Sequence, residues 1–498
     1  MEQVKEQKAP FKLNMKRTML IGFAFFGILL LWQVYDSWCP TLLSELFARM
    51  MHPDAFPAGP IDPTSEAYKD AIKDVQYLVG VMMALDNVAA LLLLPVFGHL
   101  SDKTHTRLGK RMPYILVGTV VCAIAFPFIP VVYHFAGSVA GVIALMAIVL
   151  LFAMMYRNPA VALMPDMTPK PLRSKANGII NIMGYIGGFF ATLVGMIFVL
   201  TDYLGTTIKN GVATPHTWAY HNIWALELPF LIASVLMVIS AVVLLFNVKE
   251  NKIHEEIKDE MARGELEAEV VDQVSEEKPL SKANKIMLIL ILAAEFFWFM
   301  ADNGIQTFMG NYTIYYLGAS SGSLGLATIL GGVGSVIGFA VGGIIASKIS
   351  RKWTVVSGLG ITLLSYLVWV IFTFTIAKDS MKNGGSIPIW LYAIWGLKGF
   401  GMSLVHVNSF PMVVELCPSS KIGRYTGLYY TASMLAQTIT PIALGLILYV
   451  PSFDWDILPI YASIAVVASL TIFFFIKNAK NNKTKFTSGL EGIGSADD

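Results

Sequence analysis

Charge is scarce in this chain of 498 residues: Asp, Glu, Lys and Arg make up 14% of it, where a soluble domain carries about 25%. A chain this poor in charge, and 55% hydrophobic, reads as mostly membrane-embedded. The net charge is only +2, which excludes the strongly basic surface that a nucleic-acid partner would need. Cysteine is as sparse. Cys39, Cys122 and Cys417 cannot form a disulfide framework and lack metal-ligand spacing, so they read as small buried packing residues. Most histidines (His52, His99, His105, His134, His216, His221, His254) lie in loops without metal spacing. There is no P-loop, no paired-histidine metal motif and no nucleophile elbow in a suitable context. The chain is therefore not expected to be an enzyme, nor to carry a metal or cofactor. The first apolar run lacks a small-residue cleavage site and outruns a signal peptide, so it reads as a retained span.

What the chain has in abundance is long apolar runs. A bilayer-spanning helix needs about 20 largely apolar residues, and by that measure there are about twelve spans. Their limits are 18–47, 76–98, 113–133, 138–163, 178–201, 223–247, 285–316, 322–347, 353–376, 387–412, 425–449 and 457–477. The expected fold is an all-α polytopic membrane protein. Its parts are an N-terminal segment 1–17, a six-helix half 18–247, a linker 248–284, a second six-helix half 285–477 and a tail 478–498. The linker, rich in Glu and Lys, reads as solvated and partly helical. Residues 38–75, with Pro53, Pro57, Pro60 and Pro63, read as an irregular cap on one face.

The loops orient the chain. One side carries Lys5, Lys8, Lys12, Lys16 and Arg17, then Lys170, Arg173 and Lys175, Lys348, Arg351 and Lys352, Lys421 and Arg424, and the tail lysines. The other side carries only Arg49, Lys69, Lys73, Lys209, Lys378 and Lys382. The basic side, with both termini, is expected to be cytoplasmic. The most informative loop is also on that side: Gly98-His-Leu-Ser-Asp-Lys-Thr-His-Thr-Arg-Leu-Gly-Lys-Arg-Met-Pro113.

Two internal repeats support two related halves. Trp32-Gln-Val-Tyr-Asp36 in the first span matches Trp298-Phe-Met-Ala-Asp302 in the seventh, and the spacing puts Trp and Asp on one helix face. After the fourth and tenth spans, Asn158, Asp166, Pro169 and Gly178 match Asn408, Glu415, Pro418 and Gly427. Gly343-Ile-Ile-Ala-Ser347 is a worn copy of Gly98-His-Leu-Ser-Asp102 that has lost the acid.

The loop from Ser101-Asp102 through Arg107, Gly109, Lys110, Arg111 and Pro113 resembles that of secondary transporters of the major facilitator type. Within them it is most similar to the glycoside–pentoside–hexuronide cation symporters, and above all to sucrose- and maltose-type proton symporters. Pro159, Asp166, Arg173 and Ala176-Asn177 resemble the sucrose-transporter pattern after span four, and Phe297-Trp298-Phe through Leu317-Gly318 resembles span seven of the same superfamily. The resemblance implies a secondary active transporter that takes up a glycoside, such as a di- or oligosaccharide, with a cation. The proton is the expected ion and sodium the alternative; an uncoupled facilitator or exporter of another organic solute is the rival. It implies a monomer in a bilayer, with the bacterial cytoplasmic membrane as the expected location. Departures are visible. Melibiose-type sodium symporters carry two acids where this chain has Ala90 and Leu94, and sucrose-type proton symporters carry an acid where it has Leu150.

Ionisable residues inside spans are costly and usually face a cavity or a partner. Here they are Asp36, Asp86, Arg157, Glu295, Asp302, Lys398 and His406. Asp36 and Asp302, each with an indole one turn earlier, are the first candidates for a sugar site. Aromatics cover the apolar faces of a sugar ring while polar groups bind its hydroxyl rim. The candidate substrate residues are Trp32, Gln33, Tyr35, Asp36, Trp298, Asp302, Asn303, Gln306 and Asn311, with Thr307 beside them. The bland alternative is that both tryptophans are interfacial anchors and both acids structural. Asp86, Glu295 and Asp36 are candidates for cation coupling, since burial raises the pKa of an acid. Arg157 and Lys398 either neutralise buried acids or donate to substrate. Asn181, Tyr185, Trp395, Asn408 and Gln437 are minor lining candidates. Asp102, Arg107, Lys110, Arg111, Asp166, Arg173, Glu415 and Arg424 are expected to form a cytoplasmic gate of clasps that break when the halves rock.

Overall fold

The computed structural model describes residues 11–56, 65–199, 206–209, 212–215, 226–273, 281–319, 321–377, 387–416 and 422–477. Among the described residues, twelve long helices carry the fold: α1 Met15–Met51, α2 Gln76–Lys103, α3 Met112–Ala125, α4 Val139–Asp166, α5 Arg173–Ile197, α6 Leu228–Asn247, α7 Lys282–Asn311, α8 Ser321–Ile349, α9 Arg351–Phe372, α10 Ile389–Leu416, α11 Ile422–Tyr449 and α12 Ile457–Phe475. Among the described residues, eleven helices are long and apolar enough to cross a membrane. The other, α10, has 28 residues, but Lys398 and His406 interrupt its apolar run. A two-stranded hairpin, Thr206–Lys209 with Val212–Pro215, lies between α5 and α6.

Helices are the form such a chain must take, because each satisfies its own backbone where no water can. The helices group into two similarly wired sets. In α1–α6, α1 packs on α5 and α6, and α4 on α2 and α3; in α7–α12, α7 packs on α11 and α12, and α10 on α8 and α9. The halves meet chiefly where α2 lies against α11 and α5 against α8. Small residues set the helix spacing, as is common in membranes. A Cβ on Gly334 of α8 would lie 1.9 Å from the Gly396 carbonyl oxygen of α10.

One expectation changes. The segment 38–75 is not irregular throughout: α1 continues through Pro40 to Met51, and Glu66–Asp74 is a further helix. Ser44 Oγ hydrogen-bonds the Pro40 carbonyl at 2.7 Å within the continuing helix. Pro57, Pro60 and Pro63 lie outside the described residues, as does the tail 478–498. The linker is helical over Glu250–Glu256 and Lys258–Gln273; most of its described residues are exposed, while Glu250, Ile253 and Ile257 are buried. The third span runs over Met112–Ala136, made of the helix Met112–Ala125, the short helix Phe128–Val131 and a wide turn Val132–Ala136.

Candidate functional site

The charged residues of the spans fall into two groups, one in each half. In the N half, Tyr35 of α1 donates its hydroxyl to Asp86 Oδ1 of α2 at 3.3 Å, and both are buried. Its neighbour Asp36 is exposed to the space between the helices. Asp36 interacts electrostatically with Arg157 of α4 and with Asp86. The Trp32 ring meets Tyr35 edge-on at 5.6 Å, and Gln33 Nε2 donates to Ser37 Oγ one turn on, at 3.3 Å. Arg157 therefore interacts with an acid on the first helix.

In the C half the same helices, counted within the half, carry the same kind of pair. Lys398 of α10 donates to Asp302 Oδ1 of α7 at 2.6 Å, with side chains 14% and 13% exposed. Gln306 Nε2 donates to Asp302 Oδ2 at 3.0 Å, and His406 of α10 interacts electrostatically with the same acid. An acid on the first helix of each half thus meets a cation on the fourth. Each such group can orient a solute that carries both donors and acceptors.

Other candidates are placed differently. Trp298 is fully buried edge-on to His406, ring centroids 4.4 Å apart, and its indole N–H has no protein acceptor. It lines the α7–α10 contact, so it has no free face in this conformation. Glu295 is buried with neither carboxylate oxygen bonded, and Asn303 Oδ1 is likewise unpartnered. Thr307 is buried. Asn181 is buried with its Nδ2 unsatisfied, while Asn408 donates to the Leu404 carbonyl at 2.9 Å. Trp395 packs edge-on against Trp369. Tyr185 of α5 stacks on Phe339 of α8, across the halves.

Asn311 is not in the polar centre at all. It joins the halves on the face opposite the basic loops. Its Oδ1 accepts from Thr41 at 2.9 Å, and its Nδ2 donates to Ser44 Oγ at 2.8 Å and Gln76 Oε1 at 3.0 Å. All four residues are buried. One turn beyond, Glu45 accepts from Arg49 at 3.0 Å, from Tyr133 at 3.2 Å and from Tyr68. Helices α2 and α11 close the same face: a Cβ on Gly80 would lie 2.1 Å from the Pro441 carbonyl oxygen. Proline explains the deepest polar link there. Lacking an N–H, Pro441 cannot bond the carbonyl of Gln437, and Asn87 Nδ2 of α2 takes that carbonyl at 3.1 Å.

The basic face carries one ion-pair cluster within each half. Arg111, just before α3, meets Asp166 at the end of α4 at 2.8 Å, and Asp102 and Ser101 at the end of α2. Lys110 joins Asp166 at 3.0 Å. Burial works against the charge of Arg111, but hydrogen bonding and charge from Asp166, then Asp102, leave its pKa raised. Arg173 donates to the carbonyls of Thr168 and Pro165 and so ties α5 to the end of α4. Arg107 is exposed and its side chain stands apart from this cluster. In the C half, Arg351 at the start of α9 pairs with Glu415 at the end of α10 at 2.7 Å. The Asp166–Glu415 repeat is thus a structural repeat too. Arg351 is the counterpart of Arg111 that sequence reasoning passed over, although its place at the first turn of the third helix of its half was a usable signal. The side chain of Arg424 lies outside the described residues.

Two similarly wired six-helix halves, packed around a charged centre and sealed at one face, define a polytopic transporter-type membrane protein. The chain belongs to the major facilitator superfamily: the Major Facilitator Superfamily model matches residues 55–316 and 287–492. A lactose permease of Lactobacillus helveticus is 22% identical over 303 residues, which cover 59% of this chain and 44% of the permease. The chain thus spans less than half the length of that curated relative. Two solved structures share the fold. A mutant of the peptide transporter POT superposes with TM-score 0.58 at 15% identity, over 93% of each chain. A bacterial homologue of the iron transporter ferroportin, in an inward-facing state, superposes with TM-score 0.60 at 14% identity, over 93% of this chain and 99% of that one.

Proposed function

We propose that this protein is a secondary active transporter that takes up a glycoside, such as a di- or oligosaccharide, together with a cation, by alternating access. The basic face is cytoplasmic in this reading, and the proton is the coupling ion. The observation that carries it is the matched placing of acid and cation on the first and fourth helices of each half: Asp36 interacts electrostatically with Arg157, and Asp302 pairs with Lys398, with Trp32, Tyr35 and Gln33 beside the first and Gln306 beside the second. Such a centre offers hydroxyl groups both donors and acceptors, and an aromatic face beside them. The loop and span resemblance to glycoside–pentoside–hexuronide symporters and the partial likeness to a lactose permease support a sugar over other solutes. Asp86 is the preferred coupling acid, because it is buried and bonded by a neutral phenol rather than by a cation. Glu295, buried with no partner, is the second choice.

The test is uptake of radiolabelled sugars into proteoliposomes, with unlabelled competitors, under an imposed pH or sodium gradient. Accumulation that follows the pH gradient is expected. The Asp86→Asn variant should keep sugar counterflow while losing pH-driven accumulation. Uptake insensitive to both gradients would return the reading to an uncoupled facilitator, and failure of every glycoside to compete would remove the substrate class.

A further inference from the structure

The acidic linker makes a contact that no local pattern announces. The N-terminus of α3 has no side-chain cap of its own, and the first N–H groups of a helix need acceptors. Glu250, the first residue of the linker helix Glu250–Glu256, supplies them. Its carboxylate accepts the backbone N–H of Lys110 at 3.0 Å, of Arg111 at 3.0 and 3.2 Å and of Met112 at 3.2 Å. The carboxylate also sits at the positive end of the α3 dipole. Gly109 makes room for it: its φ is +113°, and a Cβ there would lie 2.1 Å from Glu250 Oε2. Asn251 adds hydrogen bonds to the carbonyls of Thr106 and Arg107, at 3.0 and 3.2 Å.

The rest of the linker stays on the same half. Gly264 packs on the α4–α5 turn, where its Cβ would lie 3.2 Å from Pro169 Cβ. The Arg263 guanidinium lies 3.9 Å over the Phe11 ring, and Arg17 interacts electrostatically with Glu260 and Glu256. Each of these contacts is with the N half or with the N-terminal segment that leads into it.

We propose that Glu250 is a positioning residue for the basic-face gate, fixing the backbone from which Arg111 reaches Asp102 and Asp166, and that residues 250–266 move with the N half as one body. The proposal rests on the reading of Arg111, Asp102 and Asp166 as a gate, here one that shapes the surface of the N half rather than a clasp between halves, since all three lie in that half, and the experiment separates the two. Full-length protein with its three native cysteines replaced would carry one reporter cysteine on each face, and labelling by a membrane-impermeant maleimide would be followed. Arg111→Gln tests the gate: it should speed basic-face labelling and slow labelling on the opposite face. Glu250→Gln, which keeps the size but loses the charge, should shift both rates in the same direction, by about threefold or more, while sugar KM stays within about twofold; Glu250→Asp should restore part of the wild-type rates. Unchanged labelling in Arg111→Gln would overturn the gate and this proposal with it. A shift in Arg111→Gln but none in Glu250→Gln, with both proteins monodisperse, would overturn the role of Glu250 alone. A second measurement does not depend on these variants. The Pro169→Cys/Gly264→Cys pair has a Cβ separation near that of a disulfide. Its oxidised form should transport at the reduced rate; loss of transport on oxidation would overturn the movement of linker and N half as one body.

Discussion

At the residue scale, the decisive contrast is between acids that own a cation and acids that do not. Asp302 and Lys398 are close, at 2.6 Å, and mostly shielded from solvent, so removing one leaves a buried charge without its partner at a cost of about 3–5 kcal/mol. Lys398→Gln should therefore lower thermal stability in detergent and cut uptake by at least about tenfold, a change equivalent to 1.4 kcal/mol. The double variant Asp302→Asn/Lys398→Gln should recover most of the stability without recovering uptake, because the polar centre has lost its charges. A Lys398→Gln protein as stable as wild type would show that the pair is not a buried one. The sequence made Asp36 and Asp302 stand out, because helical spacing reveals which residues share a face. It could not tell what that face meets: the partner of Asp302 lies 96 positions away, and Trp298, on the same face, turns out to be packed against His406.

At the element scale, closure of one face depends on backbone approach as well as on side-chain bonds. Gly80 of α2 leaves room for the Pro441 carbonyl, and Gly445 of α11 does the same for Gln76. Proline adds to this by freeing the Gln437 carbonyl for Asn87. Gly80→Leu should push α2 away from α11. Overpacking costs about 1–3 kcal/mol, so the closed arrangement should lose about fivefold or more in population. The readout is maleimide labelling of a Thr41→Cys reporter, a position buried here; equal labelling rates with and without Gly80→Leu would refute the steric account. The apolar runs made the spans and their division into halves legible, because hydrophobicity is a local property. The glycine contacts were not, since a glycine in an apolar run says nothing about which helix it admits. One contact of the linker was hidden for a similar reason. Its glutamates look solvated one by one, yet Glu250 finds three N–H donors about 140 positions earlier in the chain.

At the scale of the whole molecule, the two faces differ in what holds them. On the basic face the ion pairs lie inside a half: Arg111 with Asp166 and Asp102 in one, Arg351 with Glu415 in the other. On the opposite face the bonds run between halves, through Asn311 to Thr41, Ser44 and Gln76. A rocking motion of two rigid halves can preserve the first kind of contact but must break the second. These four buried residues satisfy one another, and each hydrogen bond contributes a net of about 0.5–1.5 kcal/mol. The seal is therefore of a size that substrate and ion binding could overcome. A covalent bond in the same place could not be overcome. A Cβ on Gly310 lies 3.9 Å from Thr41 Oγ1, so Thr41→Cys/Gly310→Cys should cross-link when oxidised. The oxidised protein should lose uptake completely, and reduction should restore it. Binding of substrate from the basic face should survive the cross-link, because only the opposite face is locked. Full uptake by a protein whose cross-link is verified by mass would mean that the halves do not part at α1 and α7, and that solute takes another route.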